Sequence, residues 1–535
     1  MVAQRRSPEI LVAATLLLWS VVACEPDTGD HRGADPERPV DAEGPRGFSA
    51  LPEAFTTADR TLVLVHEPLA ELEDNPAQPE FQDALVRSGL GDVVVGPGEA
   101  AVVRTLNNGP APRRGPRSRR LARFVHLADT QLMDDESPAR TAVFDNISLT
   151  SGAMRPQDPH ICRMLHAVVR TVNAMHAADP IDFVLLGGDN ADNAQENEVR
   201  WLMGILGGGE VECDSGDDDD LVDGRNDGND GKDPFVSAGL AMPWKWVTGN
   251  HDVNVQGNFR IDADWRAAAV SSFSEYGTRD YRFRRLGAVR QGDFVIVDEA
   301  RRLLDGPSLL ELVGEHDDGH GLANADRAHG KAFYSFDVGA DGSGLTFIVL
   351  DTNALGGGAS GQLSRADVDR FVLPALESAR LRRRAVVLAS HHALDTLTVN
   401  GGAFGTTVDD ALLPDAWREL LGDYPHVVLS MVAHTHRHRI VRQQTAPGQA
   451  FFEVMTSAVA DYPHQFRVIE IYDDDNDTLR IEATPVDFSA DDDDVAAMGR
   501  TLGVIDQLSG YAFNPDAAGD DGDRNVTLIV PRPSF

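Results

Sequence analysis

Carboxylate, amide and imidazole side chains recur at five points of the 535-residue sequence, each directly after a short run of apolar residues. The five segments are "DTQ" at 129–131, "GDNAD" at 188–192, "GNHD" at 249–252, "SHHA" at 390–393 and "AHTH" at 433–436. The apolar runs predict buried β-strands. Because ligand sites in open α/β sheets form at the carboxyl ends of strands, we expect these polar side chains to meet at one edge.

These oxygen and imidazole groups are the ligand types of divalent Mn, Fe, Zn or Co rather than of a thiolate-bound structural metal. A central carboxylate can bridge two ions roughly 3.5–4 Å apart, and such a pair stabilises an in-line displacement at phosphorus. Within "GNHD", Asn250 offers an amide oxygen as a ligand, His251 can donate a proton and Asp252 can orient that histidine. The five segments together therefore predict a hydrolase with a two-metal centre.

The order of these segments resembles the calcineurin-like metallophosphoesterase superfamily, whose pattern runs DxH, GDxxD, GNHD, H and GHxH. The match covers residues 123–485, and "GLAMPWKWVTGNHDVNVQGN" at 239–258 resembles a branch of exported bacterial members. The resemblance implies a layered αββα sandwich of the metallophosphoesterase type. It also implies a phosphomonoesterase or phosphodiesterase that uses two divalent ions on a small phosphoester substrate.

Residue roles follow from the resemblance by position in each motif. The metal ligands implied are Asp129, Gln131 and His436 for the first ion, Asn250, His391 and His434 for the second, and Asp189 as the bridge. The resemblance further implies that His251 acts on the phosphoryl oxygen or the leaving group, with Asp252 behind it. Asp192 and His392 are implied to support the site from outside the ligand set, although the adjacent His391 and His392 cannot be separated by sequence alone.

The sequence departs from the superfamily pattern at two positions. Gln131 stands where the family usually has histidine, and Ala433 replaces the glycine of GHxH. An amide oxygen is a weaker, uncharged ligand, so the first ion is expected to be held less tightly or to be a harder ion such as Mn. Gln131 also favours an alternative function, a non-catalytic metal-binding surface lipoprotein that keeps the fold. A zinc peptide or amide hydrolase ranks last, because the sequence has no helical HExxH.

Strands and helices alternate from Phe124 onward, which predicts an α/β layered sandwich. Apolar residues recur at helical spacing between Ile161 and Met175 and predict one long helix with an apolar face. Short strand-like runs predict a small β-rich region at 51–122. The metallophosphoesterase domain is then expected at 123–485, with a C-terminal extension at 486–535.

The first residues predict an export signal. An apolar stretch from Ile10 to Ala23 follows two arginines and ends in "VVAC", which resembles a lipobox. We therefore expect a lipoprotein-type signal peptide at 1–24 with lipidation at Cys24, a disordered tether at 25–50, and a membrane-anchored protein of the cell envelope. An ordinary secretory signal or an uncleaved anchor remains an alternative.

Export implies an oxidising compartment, in which the two other cysteines can pair. Two cysteines make no disulfide framework, however, and Cys162 falls on the apolar side of the predicted helix. The sequence therefore favours free thiols at Cys162 and Cys213 over a disulfide.

The formal net charge of −37 argues against a partner with a phosphate backbone, so no nucleic-acid binding is expected. Many of the acidic residues lie in short runs. One run is in an insertion at 209–234, where alternating Asp, Asn and Gly resemble a calcium loop. Counted from Asp223, Arg225 falls on a ligand position, so a flexible acidic loop is slightly favoured over a calcium site. Either way the insertion precedes the strand that leads to "GNHD".

Overall fold

The structure is a computed structural model, and it describes residues 56–68, 76–77, 79–142, 152–216, 231–275, 277, 295–314, 319–322, 329–490, 493–510, 512, 514–533 and 535. The predicted signal peptide, Cys24 and the tether lie outside these residues. Among the described residues, no helix combines the length and the apolar character that crossing a membrane requires.

Strands supply most of the framework. They are β1 Arg60–Leu64, β2 Val93–Pro97, β3 Val102–Thr105, β4 Arg119–Leu127, β5 Phe183–Leu186, β6 Gly209–Val211, β7 Phe235–Ser237, β8 Trp244–Trp246, β9 Tyr334–Val338, β10 Leu345–Leu350, β11 Ala385–Ser390, β12 Val427–Val432, β13 Arg439–Ala446, β14 Gln449–Met455, β15 Gln465–Asp473, β16 Thr478–Asp487 and β17 Val526–Pro531. The α-helices are α1 Pro79–Arg87, α2 Ile161–Ala178, α3 Glu196–Gly207, α4 Ala263–Ala269, α5 Gly306–Val313, α6 Arg365–Asp367, α7 Leu373–Leu381, α8 Pro414–Leu421 and α9 Asp494–Ser509.

Two large sheets contain most of these strands. One has seven strands in the order β3-β17-β16-β15-β4-β5-β8, and the other has six in the order β13-β14-β12-β11-β10-β9. In the first sheet β4, β5 and β8 run parallel, and in the second β10, β11, β12 and β14 run parallel. Four of these parallel strands, β5, β10, β11 and β12, are buried along their whole length, as expected for strands covered on both faces.

The two sheets pack face to face through an aromatic cluster. The ring centroids of Phe124 and Phe347 lie 5.2 Å apart, and those of Phe183 and Phe336 lie 5.1 Å apart, each pair in edge-to-face contact across the two sheets. On its outer side the seven-stranded sheet packs against the apolar faces of α2 and α3, while α7 and α8 cover the six-stranded sheet. This arrangement confirms the predicted layered α/β sandwich.

The C-terminal residues belong to the sandwich, contrary to the expectation of an extension at 486–535. Strand β17 lies between β16 and β3 in the seven-stranded sheet, and α9 contacts α2. Because β3 comes from the predicted N-terminal region, the chain before residue 123 and the chain after residue 485 complete one sheet. The boundaries predicted at 122 and 485 therefore do not coincide with structural boundaries.

A disulfide joins Cys162 of α2 to Cys213, just beyond β6. The preference for free thiols was wrong because the hairpin formed by β6 and β7 returns the chain to the start of α2, a contact between residues 51 positions apart. Residues 217–230 of the acidic insertion, with Asp223 and the proposed calcium loop, lie outside the described residues.

Candidate metal centre

The polar segments that follow five strands meet where both sheets end. The seven-stranded sheet supplies residues after β4, β5 and β8: Asp129, Gln131, Asp189, Asp192, Asn250, His251 and Asp252. The six-stranded sheet supplies residues after β11 and β12: His391, His392, His434 and His436. The site thus lies at the carboxyl ends of parallel strands, as the sequence predicted.

His391 lies at the middle of this site. Its Nε2 is 3.0 Å from Asp189 Oδ2, 3.1 Å from Asn250 Oδ1 and 3.9 Å from Asp129 Oδ1. Its Nδ1 donates to the Gly187 carbonyl at 2.9 Å, which directs Nε2 toward the oxygens. Burial alone would lower the pKa of His391, but the carboxylates of Asp189 and Asp129 raise it to about 9.

Two groups of donor atoms are close enough to hold ions. The donor atoms of Asp129, Asp189 and His436 lie within 4.8 Å of one another, and so do those of His391, His392 and His434. The first group matches three of the ligands predicted for the first ion. The second contains His391 and His434, two of the predicted ligands of the second ion, and adds His392.

The hydrogen bonds of His392 separate it from His391. Its Nδ1 lies 2.9 Å from Thr352 Oγ1, and its Nε2 lies 3.1 Å from the Ala359 carbonyl oxygen. A carbonyl only accepts, so Nε2 carries the proton and Nδ1 accepts from the threonine hydroxyl. Burial, together with the neighbouring histidines, lowers the pKa of His392 well below its usual value. Both ring nitrogens are therefore engaged, and we assign His391 rather than His392 as the ligand.

The residues present fit a pair of divalent ions. His434 Nδ1 is buried without a hydrogen-bond partner among the described residues. Burial and nearby His391 lower the pKa of His434 to about 3, so its ring is a neutral donor. Asp129 and Asp189 are 0% and 1% exposed, which leaves two carboxylates in the interior beside it. An orphaned imidazole nitrogen next to buried carboxylates is the donor set that a divalent cation satisfies.

The backbone of the site is strained in a consistent way. Five of the predicted ligand residues have positive φ angles: Asp129 +48°, Gln131 +36°, Asp189 +50°, His434 +78° and His436 +50°. Non-glycine residues with positive φ are uncommon, and they persist where the surrounding structure fixes them, often at functional sites. The backbone conformation therefore indicates a functional site independently of the side-chain chemistry.

Glycines allow two close approaches here. A Cβ on Gly249 would lie 2.0 Å from the Asp189 backbone nitrogen, so only glycine lets the "GNHD" turn lie against that residue. Gly257 has φ +64°, and a Cβ there would lie 2.3 Å from His251 Cδ2 and 2.4 Å from Asn250 Nδ2. Position 257 therefore keeps the space beside the His251 ring open.

His251 is held by Asp192. Its Nδ1 donates to the Asp192 carbonyl oxygen at 2.6 Å and lies 3.5 Å from the Asp192 carboxylate, while its backbone N–H donates to Asp189 Oδ1 at 2.8 Å. Burial would lower the pKa of His251, but Asp189 and Asp192 raise it above its usual value. A protonated imidazole with Nδ1 engaged has its second nitrogen available as a proton donor.

Asp252 does not orient His251, contrary to the role expected for it. Its carboxylate accepts the backbone N–H groups of Gly249, Asn190 and Ala191 at 2.7–2.9 Å, and the Asn190 side chain at 3.1 Å. Burial, with the nearby charge of Asp189, raises the pKa of Asp252 to about 7. Asp252 therefore connects the loops after β5 and β8. Asp192, and not Asp252, lies behind His251.

Two residues of the site were missed by the sequence analysis. His436 Nδ1 lies 2.5 Å from Asp461 Oδ2, so a carboxylate supports the histidine from the side opposite its ligand atom, Nε2, which is 3.4 Å from Asp129. Gln131 accepts a hydrogen bond from the buried Arg155. The rule that a metal-bound histidine usually donates to a carboxylate could have prompted a search for Asp461, but nothing in the sequence singles out Arg155.

No protein-family model matches the sequence, and no curated protein matches it. Among solved structures, the fold is similar to a dimetal phosphatase from Danio rerio, at 13% identity and a TM-score of 0.36, over 69% of this chain and 100% of that chain. It is also similar to GAP50, the anchor in the inner membrane complex of Plasmodium, at 10% identity and a TM-score of 0.31, over 68% and 84% of the two chains.

A third similar structure is the sulfate thiohydrolase SoxB of Thermus thermophilus, at 13% identity and a TM-score of 0.28, over 74% of this chain and 61% of that chain. At these identities and TM-scores, structural similarity does not establish an activity for this chain.

Proposed function

We propose that this protein is a hydrolase of phosphoester bonds, a phosphomonoesterase or phosphodiesterase that uses two divalent ions. The observation that carries the proposal is the position of His391 Nε2, within 4 Å of Asp129 and Asp189 and within hydrogen-bond distance of Asn250. Buried carboxylates, imidazoles and an amide oxygen from two sheets converge there. This is a donor set for two ions that share a carboxylate.

The residues divide between the ions as the motifs imply. Asp129, Gln131 and His436 would hold one ion, Asn250, His391 and His434 the other, and Asp189 would serve both. When bound, such a pair of Mn, Fe, Zn or Co ions activates water and stabilises the charge that develops on a phosphoryl group. The protein itself fixes the ligands, through Gly187 behind His391 and Asp461 behind His436.

The proton needed by the leaving group would come from His251. Its Nδ1 donates to the Asp192 carbonyl oxygen at 2.6 Å, and the carboxylates of Asp189 and Asp192 raise the pKa of His251 against the effect of burial, which favours the protonated ring. Its side chain is 18% exposed, so a substrate can reach it from solvent. His251 therefore combines a fixed orientation, a proton and access, the three requirements of a general acid.

The test is hydrolysis of p-nitrophenyl phosphate and of bis(p-nitrophenyl) phosphate by metal-free protein to which Mn²⁺ is added. We expect turnover only with metal, and its loss in Asp189→Asn, a substitution that keeps the size of the side chain. If the wild-type protein binds Mn²⁺ but hydrolyses neither ester nor any member of a wider phosphoester panel, the alternative of a non-catalytic metal-binding surface protein replaces the proposal.

We propose in addition that the protein is exported and anchored to the cell envelope through a lipid on Cys24. The sequence motif at 21–24 motivates the proposal, and the disulfide between Cys162 and Cys213 supports an oxidising compartment. Cys24→Ser should release the protein from the membrane fraction or block its maturation. A mature, unlipidated N-terminus at another residue would contradict the proposal.

A further inference from the structure

Arg155 is a buried cation next to the metal centre. Its side chain is 4% exposed, and it donates to Gln131 Oε1. Its Nε lies 2.7 Å from Asp461 Oδ1, and its Nη1 lies 3.7 Å from both Asp158 and Asp192. Burial would lower the pKa of Arg155, but these carboxylates raise it, so the guanidinium is charged.

The contacts of Arg155 connect two of the predicted ligands of one ion. On one side it holds the amide of Gln131. On the other it holds Asp461, whose second oxygen lies 2.5 Å from His436 Nδ1. One guanidinium therefore supports both Gln131 and His436, two of the four residues that would hold this ion.

The guanidinium also determines which end of the Gln131 amide faces Arg155. Arginine has only donors, so the atom that faces it must be the amide oxygen and not the nitrogen. A carbonyl oxygen has two lone pairs, and a hydrogen bond from Arg155 leaves the second for a cation. The Asp461 carboxylate in the same way accepts from His436 Nδ1, so that Nε2 lies on the opposite side of the ring, 3.4 Å from Asp129.

We propose that Arg155 is a positioning residue for the ion held by Asp129, Gln131 and His436, acting through Gln131 on one side and Asp461 on the other. The inference rests on the two-ion centre of the proposed function. It explains how a glutamine can replace the usual histidine at position 131: the fixed guanidinium supplies the orientation that an imidazole ring obtains from its own second nitrogen.

Arg140 offers a matched control. It is also fully buried and charged, with Nη1 2.8 Å from Asp192 and Nη2 3.7 Å from Asp158, and carboxylates raise its pKa against the effect of burial. Its hydrogen bonds and ion pairs within the described structure reach neither Gln131 nor Asp461. A substitution of Arg140 therefore removes a buried cation that shares Asp158 and Asp192 with Arg155 but does not contact Gln131 or Asp461 within the described structure.

The experiment measures Mn²⁺ binding by full-length wild type, Arg155→Met, Arg155→Lys and Arg140→Met after equilibrium dialysis in metal buffers. Electron paramagnetic resonance of each sample then distinguishes a coupled pair of Mn²⁺ ions from an isolated ion. We expect Arg155→Met to retain one ion of the two, with an isolated-ion spectrum, and to bind the other about 10- to 100-fold more weakly. Arg140→Met should retain the coupled pair.

Arg155→Lys keeps the charge beside Asp461 but loses the planar fork that reaches Gln131 as well, so it should also weaken one ion. This variant decides the question if Arg155→Met fails to fold. Two bound ions with unchanged affinity in the folded Arg155 variants would overturn the assignment, and so would equal loss of an ion in Arg140→Met. Wild-type protein that holds no pair of ions would instead overturn the metal centre, whatever the Arg155 variants do.

Discussion

At the scale of single residues, hydrogen bonds distinguish the histidines that can bind a metal ion from a histidine that cannot. His391 Nε2 lies beside Asp189 and Asn250, and His434 Nδ1 is buried without a hydrogen-bond partner among the described residues. Both ring nitrogens of His392, in contrast, are engaged by Thr352 and Ala359. Motif order alone cannot make this distinction, because neighbouring histidines have the same chemistry. The hydrogen-bond partner of each ring nitrogen does make it.

His251→Ala tests the general-acid role. Turnover should fall by about 10²–10⁴-fold, the usual contribution of a positioned acid, while the metal content stays near the wild-type value. The loss should be smaller for a nitrophenyl ester than for an alkyl phosphate, because the nitrophenolate leaves without protonation. Kinetics and metal analysis on one preparation provide the measurement. Loss of metal together with activity would make His251 a ligand instead.

Gly257→Ala tests the space beside His251. The new Cβ would lie 2.3–2.4 Å from His251 and Asn250 in a turn with φ +64°, so we expect turnover to fall at least tenfold. Gly448→Ala is the matched control, since its φ of +80° imposes similar strain while no atom lies within 4 Å of the new Cβ. Equal activity in the two variants, measured with the same ester, would show that Gly257 has no specific role.

At the scale of elements, the strands and helices that precede the motifs were predictable, because each is a continuous apolar run or a single apolar face. Strands β11 and β12 are buried along their whole length, and α2 buries the face that its spacing indicated. Which strands lie side by side was not predictable. The place of β17 between β16 and β3 depends on partners far away in sequence, and no local pattern encodes it.

Removal of residues 511–535 tests the place of β17. The truncation takes away the buried side chains of Val526, Leu528 and Val530 and uncovers the edges of β16 and β3. At about 1.5–3 kcal/mol for each buried side chain, the loss approaches the total stability of a domain, so the product should be unfolded or insoluble. Deletion of residues 532–535 alone is the control. A soluble truncated protein with an unchanged melting temperature would contradict the sheet order.

The disulfide belongs to the same scale, because it fastens α2 to the hairpin of β6 and β7. Its ends are 51 residues apart, and the chain-entropy model gives about 4 kcal/mol of stabilisation for a loop of that length. Cys162→Ala with Cys213→Ala should therefore lower the free energy of unfolding by about 2–4 kcal/mol in denaturant titrations. A change below about 1 kcal/mol would mean that the loop is already constrained in the unfolded chain.

At the scale of the whole molecule, the sandwich brings the ends of two separate sheets to one place. Asp129 and Asp189 come from one sheet and His391 and His434 from the other, and the strained turns after the strands present them together. The sequence identified these residues because they stand in recognisable motifs. It missed Arg155 and Asp461 because they lie in irregular segments, and only their contacts show that they support Gln131 and His436.

The central claim is that one carboxylate serves two ions and that hydrolysis depends on both. The most direct measurement is titration of metal-free protein with Mn²⁺, with bound metal and hydrolysis of bis(p-nitrophenyl) phosphate and p-nitrophenyl phosphate followed together, in wild type and in Asp189→Ala. We expect wild-type activity to reach its plateau at about two ions per chain, and Asp189→Ala to hold neither ion tightly and to be inactive. Retention of both ions by Asp189→Ala, or full activity of the wild type without metal, would contradict it.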